Sequence, residues 1–137
     1  MKYILVTRSF RKQLKKFKRY FYEQDVVEDI HDFILNGLRG GESFLKTQTI
    51  AEIRVKTVKL RICVRQVKGR YLLGILGDRE YIPLLIDLKS GQYGRNMSFQ
   101  INRKLVSHMH SQMNAVLRDY LAHTDEEPMM TVYEVDG

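Results

Sequence analysis

Val58-Lys59-Leu60-Arg61-Ile62-Cys63-Val64-Arg65 alternates without a break, with Val58, Leu60, Ile62 and Val64 on one side and Lys59, Arg61, Cys63 and Arg65 on the other. A period of two sends successive side chains to opposite faces, so the stretch reads as a half-buried strand with an aliphatic side on a core and a cationic side in water. Ile50 to Val55 alternates in the same way just before it. The strand is expected to run to Val67, with Lys68-Gly69 as its turn. Arg70-Tyr71-Leu72-Leu73-Gly74-Ile75-Leu76 follows, Gly77-Asp78 turns the chain again, and Tyr81 to Asp87 returns. Three strands joined by tight glycine-bearing turns predict an antiparallel meander. Pro83 has no N–H to give a ladder, so its strand lies at an edge or carries a bulge there.

Upstream the period lengthens. Tyr3 to Val6 reads as a short strand, and in the segment Ser9 to Phe21 the residues Phe10, Leu14, Phe17 and Phe21 recur at helical spacing. Thr7 or Ser9 is the expected cap of that helix. A second helix is expected over Asp25 to Leu38, with Val26, Val27, Ile30, Phe33, Ile34 and Leu38 on one face and Asn36-Gly37 and Gly40-Gly41 as the stop. Two adjacent amphipathic helices form a helical hairpin. Downstream of the meander, Ile101, Leu105, Met109, Met113, Val116, Tyr120 and Leu121 predict a long helix, and Met129 to Val135 a last strand. The expected class is α+β, with an N-terminal strand, a two-helix hairpin on one face of a twisted antiparallel sheet, and an extra C-terminal helix. Residues 1–97 form the core, and 98–137 add a helix and acidic tail packed on or extending the same domain.

Composition narrows the function classes. The chain has 137 residues, 44% of them hydrophobic, and a formal charge of +7. No apolar run approaches the ~18 residues of a bilayer crossing, and the four apolar residues Tyr3-Ile4-Leu5-Val6 after Met1-Lys2 are too few for the core of a secretory signal. The single cysteine excludes an internal disulfide, and no Cys/His spacing resembles a zinc site. A soluble protein of a reducing cytoplasm is the expectation. Residues 1–68 hold 16 Lys and Arg against 7 Asp and Glu, whereas residues 69–137 hold 7 against 9. A basic half of that kind favours nucleic acid, an anionic membrane or an acidic protein.

Two cation sets stand out. Arg8, Arg11, Lys12, Lys15, Lys16, Lys18 and Arg19 crowd the first helix. They read either as a solvated outer face or as a phosphate-contacting helix whose binding weakens steeply with salt. Lys59, Arg61 and Arg65 share one side of a strand. Like charges in such a row repel, so either Glu52, beside Arg54 and Lys56, builds a salt-bridge ladder with them, or the row is a groove for an extended polyanion. His31, His108, His110 and His123 read as surface or packing residues. His108 and His110 diverge by ~200° on a helix and cannot share a metal.

The order of elements, the helix opening Ser9-Phe10-Arg11-Lys12-Gln13-Leu14-Lys15-Lys16, the second helix closing in Asn36-Gly37 and the strand Leu60-Arg61-Ile62-Cys63-Val64 together resemble the RelE/ParE-type toxins of bacterial type II toxin–antitoxin modules. The resemblance spans roughly residues 1–97. It implies one of two activities: metal-independent cleavage of messenger RNA, usually on the ribosome, or poisoning of DNA gyrase. It also implies an antitoxin protein as partner, and no cofactor. A non-catalytic nucleic-acid-binding regulator on the same fold is a third reading. Arg61 matches the family's central-strand Arg. Lys89, Tyr93 and Arg95 are the counterparts, by order, of its basic and aromatic residues around the last strand. The catalytic set implied is Arg61, Lys89, Tyr93 and Arg95, with Lys59, Arg65, Arg11, Lys12, Lys15, Lys16 and Arg19 on RNA. Lys59-Leu60 stands where the family usually has a glycine and an aromatic. The acidic tail, from Asp125 to Asp136, is opposite in sign to the groove and is expected to fold over it.

Overall fold

The structure, a computed structural model, describes residues 1–93, 97 and 103–135. β1 (Lys2–Thr7) runs straight into α1 (Arg8–Lys15), where the Thr7 hydroxyl accepts the Phe10 N–H at 3.1 Å. The helix ends well before Phe21, and turns carry the chain on to Tyr20. Lys12, Lys15, Lys16, Lys18 and Arg19 would face one another at i+3 and i+4 on a longer helix, with no acid among them to relieve the repulsion. The turns still bring Phe21, 1% exposed, onto the sheet.

α2 (Glu23–Asn36) starts where the Asp25 carboxylate reaches back to the Tyr22 N–H at 2.8 Å. It stops at Gly37, whose φ of 79° is a left-handed value that favours glycine, and whose N–H donates to the Phe33 carbonyl at 2.8 Å. Leu38, past the stop, is exposed. Two short strands follow, β2 (Ser43–Phe44) and β3 (Gln48–Ile50). The meander itself is β4 (Ile53–Val64), β5 (Val67–Leu76) and β6 (Glu80–Leu88). After α3 (Arg103–Ala122) the chain ends its described course in β7 (Met130–Val135).

The sheet order is β2-β4-β5-β6-β1-β7, with β3 pairing β4 beside that path. All pairs are antiparallel except β1 with β6, which is parallel, so the sheet is mixed. The turn between β4 and β5 is not Lys68-Gly69. It is Arg65-Gln66, with φ of 49° and 68°, a two-residue turn between Val64 and Val67. Gly69 serves packing instead: a Cβ there would lie 2.7 Å from the Phe21 ring. Glu52 occupies the β3–β4 turn, with φ of 66°, so it forms no ladder with Arg61.

Pro83 sits at a bulge. Leu72 pairs Leu85 and Leu73 pairs Pro83, which leaves Leu84 as an extra residue on β6. Gln13 of α1 closes the gap: its side-chain amide donates to the Leu84 carbonyl at 2.9 Å and accepts the Ile86 N–H at 3.1 Å. β1 pairs β6 only through Tyr3 and Ile4, so α1 continues the sheet edge where β1 has left it.

The face carrying Leu60, Ile62 and Tyr71 lies under the helical hairpin; the Tyr71 hydroxyl donates to Asp29 of α2 at 2.5 Å. Each aliphatic side chain buried there contributes about 1.5–3 kcal/mol. α3 packs against α1, β6 and β3, burying Met109, Met113, Val116 and Leu117. Asp119 accepts the Ser9 N–H at the start of α1 at 2.7 Å. β7 pairs with β1 at the edge of the sheet opposite β4, so among the described residues the acidic tail adds an edge strand that engages Arg11 through Thr131 and lies away from Arg61.

Candidate nucleic-acid interface

Strand register assembles the site. On the face turned away from α2, Arg61 stands across from Arg70, and Arg70 across from Asp87. In the next row Cys63 stands across from Lys68, whose carbonyl accepts the Lys89 N–H at 3.0 Å. Lys68 and Lys89 line an open groove of about 720 Å³ walled by Tyr20, Gln66, Val67, Leu88 and the Ser90-Gly91 turn. Lys68 also borders a second hollow, of about 250 Å³, with Arg61, Cys63, Arg70, Arg39 and Gly40. Asp29 and Ile62 complete the lining of the second hollow, Arg70 at its base is 6% exposed, and Lys68 is common to both cavities.

Arg61 is held at both ends. Its guanidinium donates to the Gly40 carbonyl at 3.0 Å and lies against Gly41, where a Cβ would come within 2.3 Å of Nη1. Its backbone N–H donates to Glu42 at 2.8 Å, and its carbonyl accepts Arg39 at 2.7 Å. The Arg39–Glu42 pair thus satisfies the free edge of β4. Burial opposes charge on Glu42, but Arg39 and the two backbone N–H groups outweigh it and hold the carboxyl below its ordinary value. Among the described residues no carboxylate ion-pairs Arg61 or Lys68. One donor of Arg61 is used on Gly40 and others remain for a ligand.

Asp87, 3% exposed, folds the following loop back over the sheet by accepting the N–H groups of Leu88 at 2.8 Å and Tyr93 at 3.0 Å. Burial raises its pKa against the pull of those bonds and of Lys16 at the end of α1. Gly91 is required there, since a Cβ would fall 1.9 Å from Asp87 Oδ1.

The expected site residues divide. Arg61 and Lys89 line these two hollows, and Lys59 is half-buried on the same side of β4 as Arg61. Lys12, Lys15, Lys16 and Arg19 are exposed on α1 and the turns after it. Tyr93 is corrected: it is 3% exposed with its ring 5.9 Å from His108, and burial together with Asp87 pushes its pKa up to about 12. A ring so buried presents no free face for a base to stack on. Arg65 is corrected in its position only: the turn takes it off the strand face beside Arg61, and it pairs with Asp25 at 2.7 Å on the helical side. Arg11 is bound to Glu23 at 2.5 Å and to Thr131 at 2.5 Å, in a clamp of α1, α2 and β7 that Tyr133 completes by donating to Glu23. Arg95 lies outside the described residues.

Lys68, Arg70 and Asp87 were not among the expected residues. Arg65-Gln66 holds no Asn, Asp or Gly to mark a two-residue hairpin turn, so the register that sets Lys68 and Arg70 opposite Cys63 and Arg61 had no local signal. Among the described residues no group of three His, Cys, Asp or Glu side chains could hold a metal ion, and no helix is long and apolar enough to cross a membrane. No protein-family model, curated protein or solved structure matches the chain.

Proposed function

We propose that the chain binds single-stranded RNA on the cationic sheet face and acts as the toxin of a type II module, a metal-independent messenger RNA endoribonuclease. The observation that supports it is the gathering of Arg61, Lys68 and Lys89 around two adjoining hollows at one end of the sheet, with Arg70 behind them, 6% exposed and across from Asp87. Like charges side by side on adjacent strands are costly for a fold, and a phosphate chain relieves the cost. Arg61 offers planar donors suited to a phosphate, and Lys68 a second charge beside it. In the cleavage step the ribose 2′-oxygen bonds to phosphorus as the bond to the 5′-oxygen breaks. One proton leaves the 2′-OH and another reaches the 5′-oxygen. Arg61 and Lys68 would stabilise the phosphorane, and Lys89, which lines the same groove as Lys68, is the candidate for one of the two proton transfers.

The burial of Tyr93 favours a second reading, binding without cleavage. Anisotropy of a labelled single-stranded oligoribonucleotide tests the binding. Arg61→Ala with Lys68→Ala should weaken it about tenfold or more and flatten the salt dependence by about 1.4 in log–log slope, ~0.7 per phosphate contact on a single strand. Unchanged affinity overturns the proposal. Mapping of message ends after expression separates the activities: discrete new 5′ ends mean cleavage, intact message with DNA damage means a gyrase poison, and neither means binding only.

A further inference from the structure

An aromatic side chain left in water adds little to a fold, and Tyr22 is 59% exposed. It is nevertheless held in one place. It precedes α2 with its backbone N–H bound to Asp25, and the Arg65 guanidinium lies 4.6 Å from its ring centroid. Arg65 is fixed in turn by Asp25 at 2.7 Å and by the Tyr20 carbonyl at 2.8 Å. Asp25 already neutralises this arginine, so Arg65 brings a ligand little net charge. What it offers is a flat surface, stacked and preorganised on a tyrosine.

One hollow is lined by Tyr22 itself and another by Tyr20 and Gln66, the residues next to the pair. Tyr20 walls the groove that holds Lys68 and Lys89, and Tyr22 lines a separate hollow of about 270 Å³ together with Lys15 and Lys18. Cations therefore flank the stack on both sides, while the nearest acids, Glu23 and Asp25, are each bound to an arginine. We infer that Tyr22 and Arg65 form a base-stacking platform for an unpaired nucleobase of single-stranded RNA, with the phosphates on one side held at Lys68 and Lys89 and those on the other at Lys15 and Lys18. Bases and guanidinium planes stack regardless of sequence, and a paired base has no free face to give, so the platform selects for single strands. The inference rests on the RNA-binding reading and adds its strand selectivity and direction of travel across the molecule.

The chain has no tryptophan, so Tyr22→Trp places a single reporter at the platform. Its fluorescence is followed against single-stranded oligoribonucleotide, the same sequence as a duplex, and inorganic polyphosphate, which carries charge without bases; anisotropy of labelled RNA reports occupancy independently. Quenching by the single strand alone is expected. Tyr22→Ala should weaken single-strand binding about tenfold and leave polyphosphate binding unchanged, with Tyr22→Phe restoring most of the loss. Wild-type affinity in Tyr22→Ala, or bound RNA that leaves the tryptophan unquenched, overturns the platform while the groove stands. Equal quenching by duplex overturns the strand selectivity. Failure of the wild-type chain to bind RNA removes the platform and the proposed function together.

Discussion

Replacing Gln13 by leucine keeps the volume and the apolar stem but removes two hydrogen bonds at once. The Gln13 amide lies 2.9 Å from the Leu84 carbonyl and 3.1 Å from the Ile86 nitrogen, and the residue is 4% exposed. Neither backbone group has an alternative in β1, which pairs β6 only at Glu80 and Tyr81. A buried polar group left without a partner costs about 1–3 kcal/mol, so two cost about 2–6, and the extra apolar burial of leucine returns about 1. The net loss of about 1–5 kcal/mol is a large share of the ~5–15 kcal/mol that stabilises a domain. In urea the midpoint should fall by ~1–2 M at unchanged slope. Gln13→Glu is the companion variant. It keeps an acceptor for Ile86 but sets a carboxylate against the Leu84 carbonyl, so it should be damaging at neutral pH and recover in acid, where the carboxyl can donate. A loss below ~0.5 kcal/mol for Gln13→Leu would refute the view that this side chain replaces a missing strand. RNA affinity should fall as well, since the same stretch of β6 delivers Asp87 and Lys89.

Two carboxylates should give opposite pH signatures. The bond from Arg11 holds Glu23 below its ordinary 4.5 in spite of burial, so its contribution is present above that pH and lost as pH falls through the folded value. The Tm gap between wild type and Glu23→Gln should therefore close in acid. Burial raises Asp29 above 3.8 despite Arg39 and Tyr71, so stability linked to it rises as pH falls through that window, and Asp29→Asn should remove this rise. Gly69→Ala would place a Cβ 2.7 Å from the Phe21 ring and 3.1 Å from the Asp87 carbonyl, and should cost ~1–3 kcal/mol by thermal or urea unfolding. Gly91→Ala forces Asp87 or the loop to move, and should lower RNA affinity in the anisotropy assay more than it lowers Tm.

Periodicity made the architecture legible, because Val58 to Val64 and the α2 face obey geometric repeats that burial enforces. Turn placement was harder to read, and the site depended on it. Lys68-Gly69 looks like a turn by composition, yet Gly69 is glycine because Phe21 occupies the space of a side chain. The real turn uses two residues that dislike left-handed φ, and Arg65 is held there by Tyr20 and Asp25, contacts distant in sequence. The difference sets the chemistry. A turn centred on 68 and 69 would put Arg61 across from Leu76, whereas the observed register puts it across from Arg70. Arg61 could therefore be singled out from strand alternation alone, but its neighbours could not, and the positions of Arg65 in the turn and of Tyr93 in the interior were missed for want of the same register and loop. The same register sets Arg70, 6% exposed, between Arg61 on one strand and Asp87 on the other, so the charge that Arg61 meets is decided by a turn four residues away and not by the alternation that made Arg61 conspicuous.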